Sequence, residues 1–95
     1  MHPLWTDQAL VGLDELRRYY VSRGSPETAI ELAALLAQAA DGLVGLPYLG
    51  RPGRIKGTRE LVIPHVPFIL VYQVESRRPH ILAVIHGARE WPEQV

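Results

Sequence analysis

The chain has 95 residues, of which 47% are hydrophobic and 21% are charged, and its ten basic and ten acidic residues cancel. This length and composition predict one folded domain over residues 1–95 and exclude a disordered or collagen-like chain. Without cysteine, the chain has no disulfide, thiolate metal site or cysteine nucleophile. The longest uncharged run, residues 61–74, is too short to span a bilayer, and no signal peptide is expected. We therefore expect a cytoplasmic protein without a membrane partner.

Two helices are predicted in the first half of the chain. Thr6 is a candidate N-cap, and apolar residues follow it at helical spacing until Gly24, which favours a helix end. Ser25 and Pro26 then resemble the capped start of a second, alanine-rich helix. The predicted inward faces are Leu10, Leu13, Leu16 and Tyr20 on the first helix and Ala29, Leu32, Ala33, Leu36 and Ala40 on the second. The short connection predicts an antiparallel pair.

Residues 42–57 are rich in glycine and proline, which predicts a long surface connection. We expect three leucines to pack this connection against the body of the protein: Leu43, Leu46 and Leu49. Connections of this length are uncommon in compact domains and are often functional.

The second half predicts three antiparallel strands, over residues 58–63, 68–75 and 80–86, separated by polar or proline-containing turns. Tyr72 is expected in the core, and Glu60 is expected to pair across strands or with Arg89. With a short strand at residues 2–5, the order becomes β-α-α-β-β-β. The predicted fold class is α+β, with an N-terminal antiparallel helix hairpin packed on a small antiparallel sheet.

Charge is distributed unevenly along the chain. Residues 1–50 contain six acids and three bases, whereas residues 51–95 contain seven bases and four acids. The basic excess is concentrated in Arg51, Arg54, Lys56 and Arg59. This cluster is either a solvated loop or a surface for an anionic partner, and the sequence supports both interpretations equally. It contains no aromatic residue on which a nucleic-acid base could stack.

Four motifs in the second half occur in a recognisable order. With the helix pair, they resemble the RelE/ParE superfamily of bacterial toxins, specifically its ParE-like branch. The motifs are Gly50-Arg51-Pro52-Gly53, Gly57-Thr58-Arg59-Glu60-Leu61, Ile69-Leu70-Val71-Tyr72 and His86-Gly87-Ala88-Arg89-Glu90-Trp91-Pro92. The resemblance implies a twisted sheet and the toxin of a type II toxin–antitoxin system, of the plasmid-stabilisation type. It also implies a ParD-like antitoxin, expected to be of the ribbon-helix-helix type, and no cofactor.

The superfamily contains two activities, and the side chains favour one of them. RelE-like members cleave messenger RNA on the ribosome, whereas ParE-like members poison DNA gyrase. Glu60 and Val62 stand where the nuclease pattern has lysines, and Ile69 stands where it has an arginine. Only Arg89 matches a catalytic cation. We therefore expect binding to gyrase, with no catalytic residue assigned.

An RNA endonuclease remains the alternative function, with Arg59, His86 and Arg89 as its candidate catalytic residues. Histidine titrates near neutral pH and serves as an acid or a base. We favour a structural role for His86 at the end of a strand. The other histidines are scattered without metal-ligand spacing, so no metal site is expected. A third possibility is a non-toxic interaction module of the same fold.

The partner-binding candidates are mostly cations, which supply attraction and register at interfaces, together with one tryptophan, a residue type enriched at binding hot spots. We expect the C-terminal part of the antitoxin to wrap over the helix hairpin and the sheet as helix and strand. Direct binding to nucleic acid stays open. The candidates are Arg51, Arg54, Lys56, Arg59, Arg89 and Trp91.

Overall fold

The computed structural model describes residues 1–87. Its two helices and five strands are β1 (Leu4–Trp5), α1 (Asp7–Ser22), α2 (Pro26–Gly42), β2 (Arg51–Pro52), β3 (Arg59–Val62), β4 (Phe68–Glu75) and β5 (Arg78–His86). The strands form one sheet in the order β1-β5-β4-β3-β2. The α+β class and the helix hairpin on a small sheet are therefore confirmed.

Two details of the predicted sheet are wrong. The sheet is mixed, because β1 pairs in parallel with β5, whereas β2 to β5 pair antiparallel in turn. In addition, Arg51–Pro52 is an edge strand inside the predicted surface connection. A two-residue strand shows no hydrophobic period, and proline is tolerated at an edge, where its missing donor leaves no ladder bond unmade.

Both helices begin and end close to the predicted residues. Thr6 caps α1, since its Oγ1 accepts a hydrogen bond from the Ala9 N–H at 3.2 Å. Gly24, with φ of 76°, permits the turn into α2. Ser25 occupies the N-cap position of α2, but its side chain makes no capping hydrogen bond to the described backbone, so its predicted capping role is wrong.

The core lies between the helices and one face of the sheet. It includes Leu16 from α1, Leu36 from α2 and Tyr72 from β4, which are at most 2% exposed. The predicted inward face of α2 is confirmed, with Ala29, Leu32, Leu36 and Ala40 buried and Ala33 half-buried.

The inward face of α1 was predicted less well. Leu16 is buried and Leu13 and Tyr20 pack against the core, as predicted, but Leu10 is 50% exposed and Ala9 is buried. The reason lies at Gly12, where α1 crosses β5 so closely that an added Cβ would stand 3.0 Å from the carbonyl oxygen of Val84. A glycine at a helix–sheet contact gives no hydrophobic signal, so the period wrongly includes Leu10 in the buried stripe.

The connection after α2 also differs from the prediction. Leu43 is buried as expected, but Leu46 and Leu49 are more than 60% exposed. Hydrogen bonds between the side chains of Tyr72 and Arg59 and the backbone of residues 47–50 hold this segment, in place of leucine packing. Within residues 1–87, neither helix combines the length and the apolar character needed to cross a membrane.

Candidate partner-binding site

A buried carboxylate organises the basic cluster. Glu60 of β3 is 2% exposed and stands opposite Arg51 of β2 in the strand register. Its Oε1 accepts hydrogen bonds from Arg51 Nη2 at 2.9 Å and Nε at 3.2 Å, and its Oε2 accepts the Arg54 backbone N–H at 2.8 Å. The predicted cross-strand pairing of Glu60 is confirmed, and it fixes the turn between β2 and β3.

A second set of contacts holds residues 47–50 at the end of the sheet. The Tyr72 hydroxyl accepts the Gly50 N–H at 2.9 Å and donates to the Pro47 carbonyl at 2.8 Å. Arg59 Nη1 donates to the Gly50 carbonyl at 2.7 Å and to the Tyr48 carbonyl at 3.2 Å. Its guanidinium carbon lies 5.0 Å from the centroid of the Tyr48 ring.

Tyr72 is fully buried, as predicted for a core residue. Burial raises the pKa of its hydroxyl above the ordinary value of 10.0, so the group keeps its proton and donates to Pro47. Gly50 is required beside it, because an added Cβ would lie 2.7 Å from Cε1 of the tyrosine ring.

The basic cluster is therefore an ordered surface. Arg51 and Arg54 contact Glu60, Arg59 binds backbone carbonyls, and Lys56 is exposed in the intervening turn. The side chains of Arg51 and Arg54 nevertheless remain 55% and 51% exposed. The cluster combines positional order with solvent access, which is what binding to an anionic partner requires.

The structure does not bring the candidate nuclease residues Arg59 and His86 together. Arg59 is in register with Tyr72, and His86 is in register with Phe68, two strands away from β3. At ~3.3 Å per residue, these positions are separated by about 13 Å along the strands alone. Arg89 and Trp91 lie outside the described residues.

The positions that would carry cations in a RelE-like nuclease have a different character. Glu60 is engaged in the ion pair above, Ile69 is 8% exposed, and Val62 is 50% exposed. Their neighbour Leu61 belongs to the core, so by strand alternation Glu60 and Val62 face away from the helices. These positions therefore offer phosphate no cation.

A groove that the sequence did not reveal runs between α1 and β5. It has a volume of about 910 Å³, and its walls include Val11 and Tyr19 from α1, with His86 at one end. Val11 is 54% exposed and Tyr19 39%. The Arg23 guanidinium lies 3.8 Å from the Tyr19 ring centroid, and the His86 ring lies 5.2 Å from that of Phe68.

The groove adjoins a part of β5 that pairs with β4 on one side but with no described strand on the other. β1 pairs only with His80 and Ile81, so residues 83–85 have no strand partner on that side among the described elements. The sequence contained one signal of this groove, the apolar Val11 on the side of α1 away from the predicted stripe. A helix that is apolar on two sides has two surfaces to cover.

No metal site is found within residues 1–87, since no three histidine, aspartate or glutamate side chains there are grouped to hold an ion. The arrangement offers a groove and an ordered cationic surface, which suit binding to another macromolecule.

Comparisons with known proteins agree on one family. Residues 4–91 match the model of the ParE toxin of the type II toxin–antitoxin system parDE. "Putative toxin Y4kP" of Sinorhizobium fredii (strain NBRC 101917 / NGR234) is 43% identical over 89 residues, which cover 94% of this chain and 91% of that protein. A chain from the solved structure of the chromosomal ParDE TA system from P. aeruginosa superposes with a TM-score of 0.79 at 27% identity, covering 90% of this chain and 95% of that one.

Proposed function

Because the chain belongs to the ParE toxin family of type II toxin–antitoxin systems, we propose that it poisons DNA gyrase by binding and that a ParD-like antitoxin neutralises it. Both events take place in the cytoplasm in this proposal. The observation that carries it is the replacement of the cationic nuclease positions by an internally paired carboxylate and two aliphatic side chains, Glu60, Val62 and Ile69.

Messenger RNA cleavage requires a base for the attacking hydroxyl and cations for the developing phosphate charge. In this chain Arg59 is occupied by the carbonyls of the 47–50 segment and lies far from His86. Binding without cleavage is therefore the function that the described residues favour.

The α1–β5 groove is the proposed antitoxin site. The apolar part of its walls suits the apolar side of an amphipathic helix, and residues 83–85 of β5, which no described strand pairs on the β1 side, suit an added strand. A ribbon-helix-helix antitoxin with a C-terminal segment that folds on binding would supply both elements.

The antitoxin site is tested with two valines of α1 that are almost equally exposed. Val11 is 54% exposed and lines the groove, whereas Val21 is 51% exposed and does not. We expect Val11→Glu to weaken binding of the purified cognate antitoxin at least tenfold in calorimetry, because a carboxylate would be buried against apolar groups. Val21→Glu is the control and should stay within threefold of wild type; equal losses in both variants would refute the groove as the site.

The target is tested in purified reactions. We expect the toxin to inhibit supercoiling by gyrase and to increase cleaved DNA, with both effects reversed by the antitoxin. His86→Ala should leave the inhibition unchanged. Codon-phased cleavage of messenger RNA after induction, lost in His86→Ala, would instead establish the endonuclease alternative.

A further inference from the structure

Four large apolar side chains are exposed around the β2–β3 edge of the sheet, three of them in the segment after α2 and one on β3. We name them the edge patch. Their exposures are 62% for Leu46, 63% for Tyr48, 61% for Leu49 and 50% for Val62. Isolated exposed apolar residues are common on protein surfaces, but three of these lie within four consecutive positions, and Leu49 lines a depression together with Val62.

The edge patch is held in a defined conformation. The Leu49 N–H donates to the Leu46 carbonyl at 3.1 Å and closes a turn. The Tyr72 hydroxyl binds the backbone of Pro47 and Gly50, and the Arg59 side chain binds the carbonyl groups of Tyr48 and Gly50. Because Tyr72 and Arg59 fix the segment in advance, binding a partner would cost little entropy for ordering it.

Positive charge surrounds the edge patch. Residues 43–67 contain four cations, Arg51, Arg54, Lys56 and Arg59, and one carboxylate, Glu60, for a formal charge of +3 without histidine. Arg51 lines a shallow depression of about 350 Å³ together with Leu49 and Val62. This combination is complementary to a partner surface that is acidic and bears apolar side chains.

We propose that the edge patch is the surface with which the toxin binds an acidic surface of its target protein, separately from the antitoxin groove. This inference rests on the proposed function and adds the location and chemistry of the target contact. The patch lies at the β2–β3 edge and the groove lies between α1 and β5, and β4 separates β3 from β5. The shallow patch suits a folded partner surface, whereas the deeper groove suits an inserted segment.

The first test removes the apolar side chains and measures growth arrest on induction in the absence of antitoxin. We expect the double variant Tyr48→Ser with Leu49→Ser to raise colony survival at least 100-fold while its affinity for the purified antitoxin stays within threefold of wild type. Ile30→Ser is the matched control, because Ile30 is 67% exposed on α2, outside the patch, and should leave growth arrest unchanged.

The second test reverses one charge without touching the buried contacts. Lys56 is exposed in the turn between β2 and β3. We expect Lys56→Glu to raise survival at least tenfold without changing antitoxin affinity, because an acidic partner would meet a like charge. This variant tests the surface even if the double variant fails to fold.

The outcomes separate this inference from the proposed function. Full growth arrest by folded patch variants and by Lys56→Glu would overturn the inference. Loss of antitoxin affinity in those variants would also overturn it, because the patch would then belong to the antitoxin site. If the wild-type toxin arrests growth without inhibiting gyrase, and the patch variants lose that growth arrest, the inference is supported and gyrase is refuted as the target. A wild-type chain that does not arrest growth would refute the proposed function and this inference together.

Discussion

Tyr72 joins the core to the surface at a single side chain. Its ring is buried among the helices and the sheet, and its hydroxyl binds two backbone groups of the 47–50 segment. The sequence predicted the burial from the apolar and aromatic strand around it. Its hydrogen-bond partners lie more than 20 positions away, in a glycine-rich segment without a period, and local pattern could not identify them.

We expect Tyr72→Phe to lower the free energy of unfolding by about 1–3 kcal/mol, because the buried Gly50 N–H loses its acceptor. Urea unfolding followed by circular dichroism measures the difference. Tyr48→Phe is the control, since that ring is 63% exposed, and its effect should stay within about 0.5 kcal/mol.

The raised pKa of Tyr72 adds a pH dependence with a definite sign. Folding favours the protonated hydroxyl, so its contribution is complete below the unfolded pKa near 10.0 and is lost as the pH rises through the higher folded pKa. The stability difference between wild type and Tyr72→Phe should therefore be constant up to about pH 10 and shrink above it. A difference that grows above that pH would contradict this assignment.

Glu60 fixes the turn between β2 and β3, and we expect Glu60→Gln to cost about 1.5–3 kcal/mol of unfolding free energy, the usual contribution of a buried charged hydrogen bond. In a double-mutant cycle with Arg51→Gln, the coupling should be smaller, about 0.5–1 kcal/mol, because Arg51 is half exposed and solvent screens it. Glu75→Gln is the matched control, since Glu75 is 57% exposed. A coupling near zero would show that the ion pair does not stabilise the turn.

At the scale of elements, the contact between α1 and β5 depends on the absence of a side chain. Gly12 lets the helix approach Val84 closely, and the groove opens beside this crossing. Neither the contact nor the groove follows from hydrophobic periodicity, which records only side chains that are present.

We expect Gly12→Val to lower the unfolding free energy by about 1–3 kcal/mol, because the new side chain would force the helix away from the strand. Gly42→Ala is the control, since nothing lies within 4 Å of a Cβ added there. It should be neutral or stabilising by up to about 1 kcal/mol. Thermal unfolding of both variants measures the contrast, and equal stabilities would show that the close approach carries no constraint.

The accuracy of prediction differed between elements for physical reasons. Helix ends and the long strands were found because caps, glycines and apolar periods are local signals. The short strand at residues 2–5 was also predicted, but β2 carries too few residues for a period, and the parallel pairing of β1 with β5 joins Leu4 to His80 across most of the chain. At the candidate site, the basic cluster was found from its composition, whereas the exposure of Leu46 and Leu49 depends on distant anchors and was missed.

At the scale of the whole molecule, the proposed binding surfaces lie on either side of β4 and are expected to behave independently. Antitoxin bound only to the native state at 100 times its Kd stabilises that state by about 2.7 kcal/mol. For a domain of this size, that corresponds to a Tm increase of more than about 10 °C. We expect this increase for wild type and for Lys56→Glu in thermal scans, and a clearly smaller one for Val11→Glu. An undiminished increase for Val11→Glu would contradict the groove as the antitoxin site, and a diminished one for Lys56→Glu would contradict separate surfaces.

The pairing of the first strand with the last also affects synthesis on the ribosome. β1 acquires its partner only after residues 80 and 81 have left the exit tunnel, and the 47–50 turn acquires its anchor only after Tyr72 has done so. A nascent chain ending before residue 72 therefore carries the helix hairpin without either completed surface. Under the proposed function, fragments from translation stopped at that point would lack both binding surfaces.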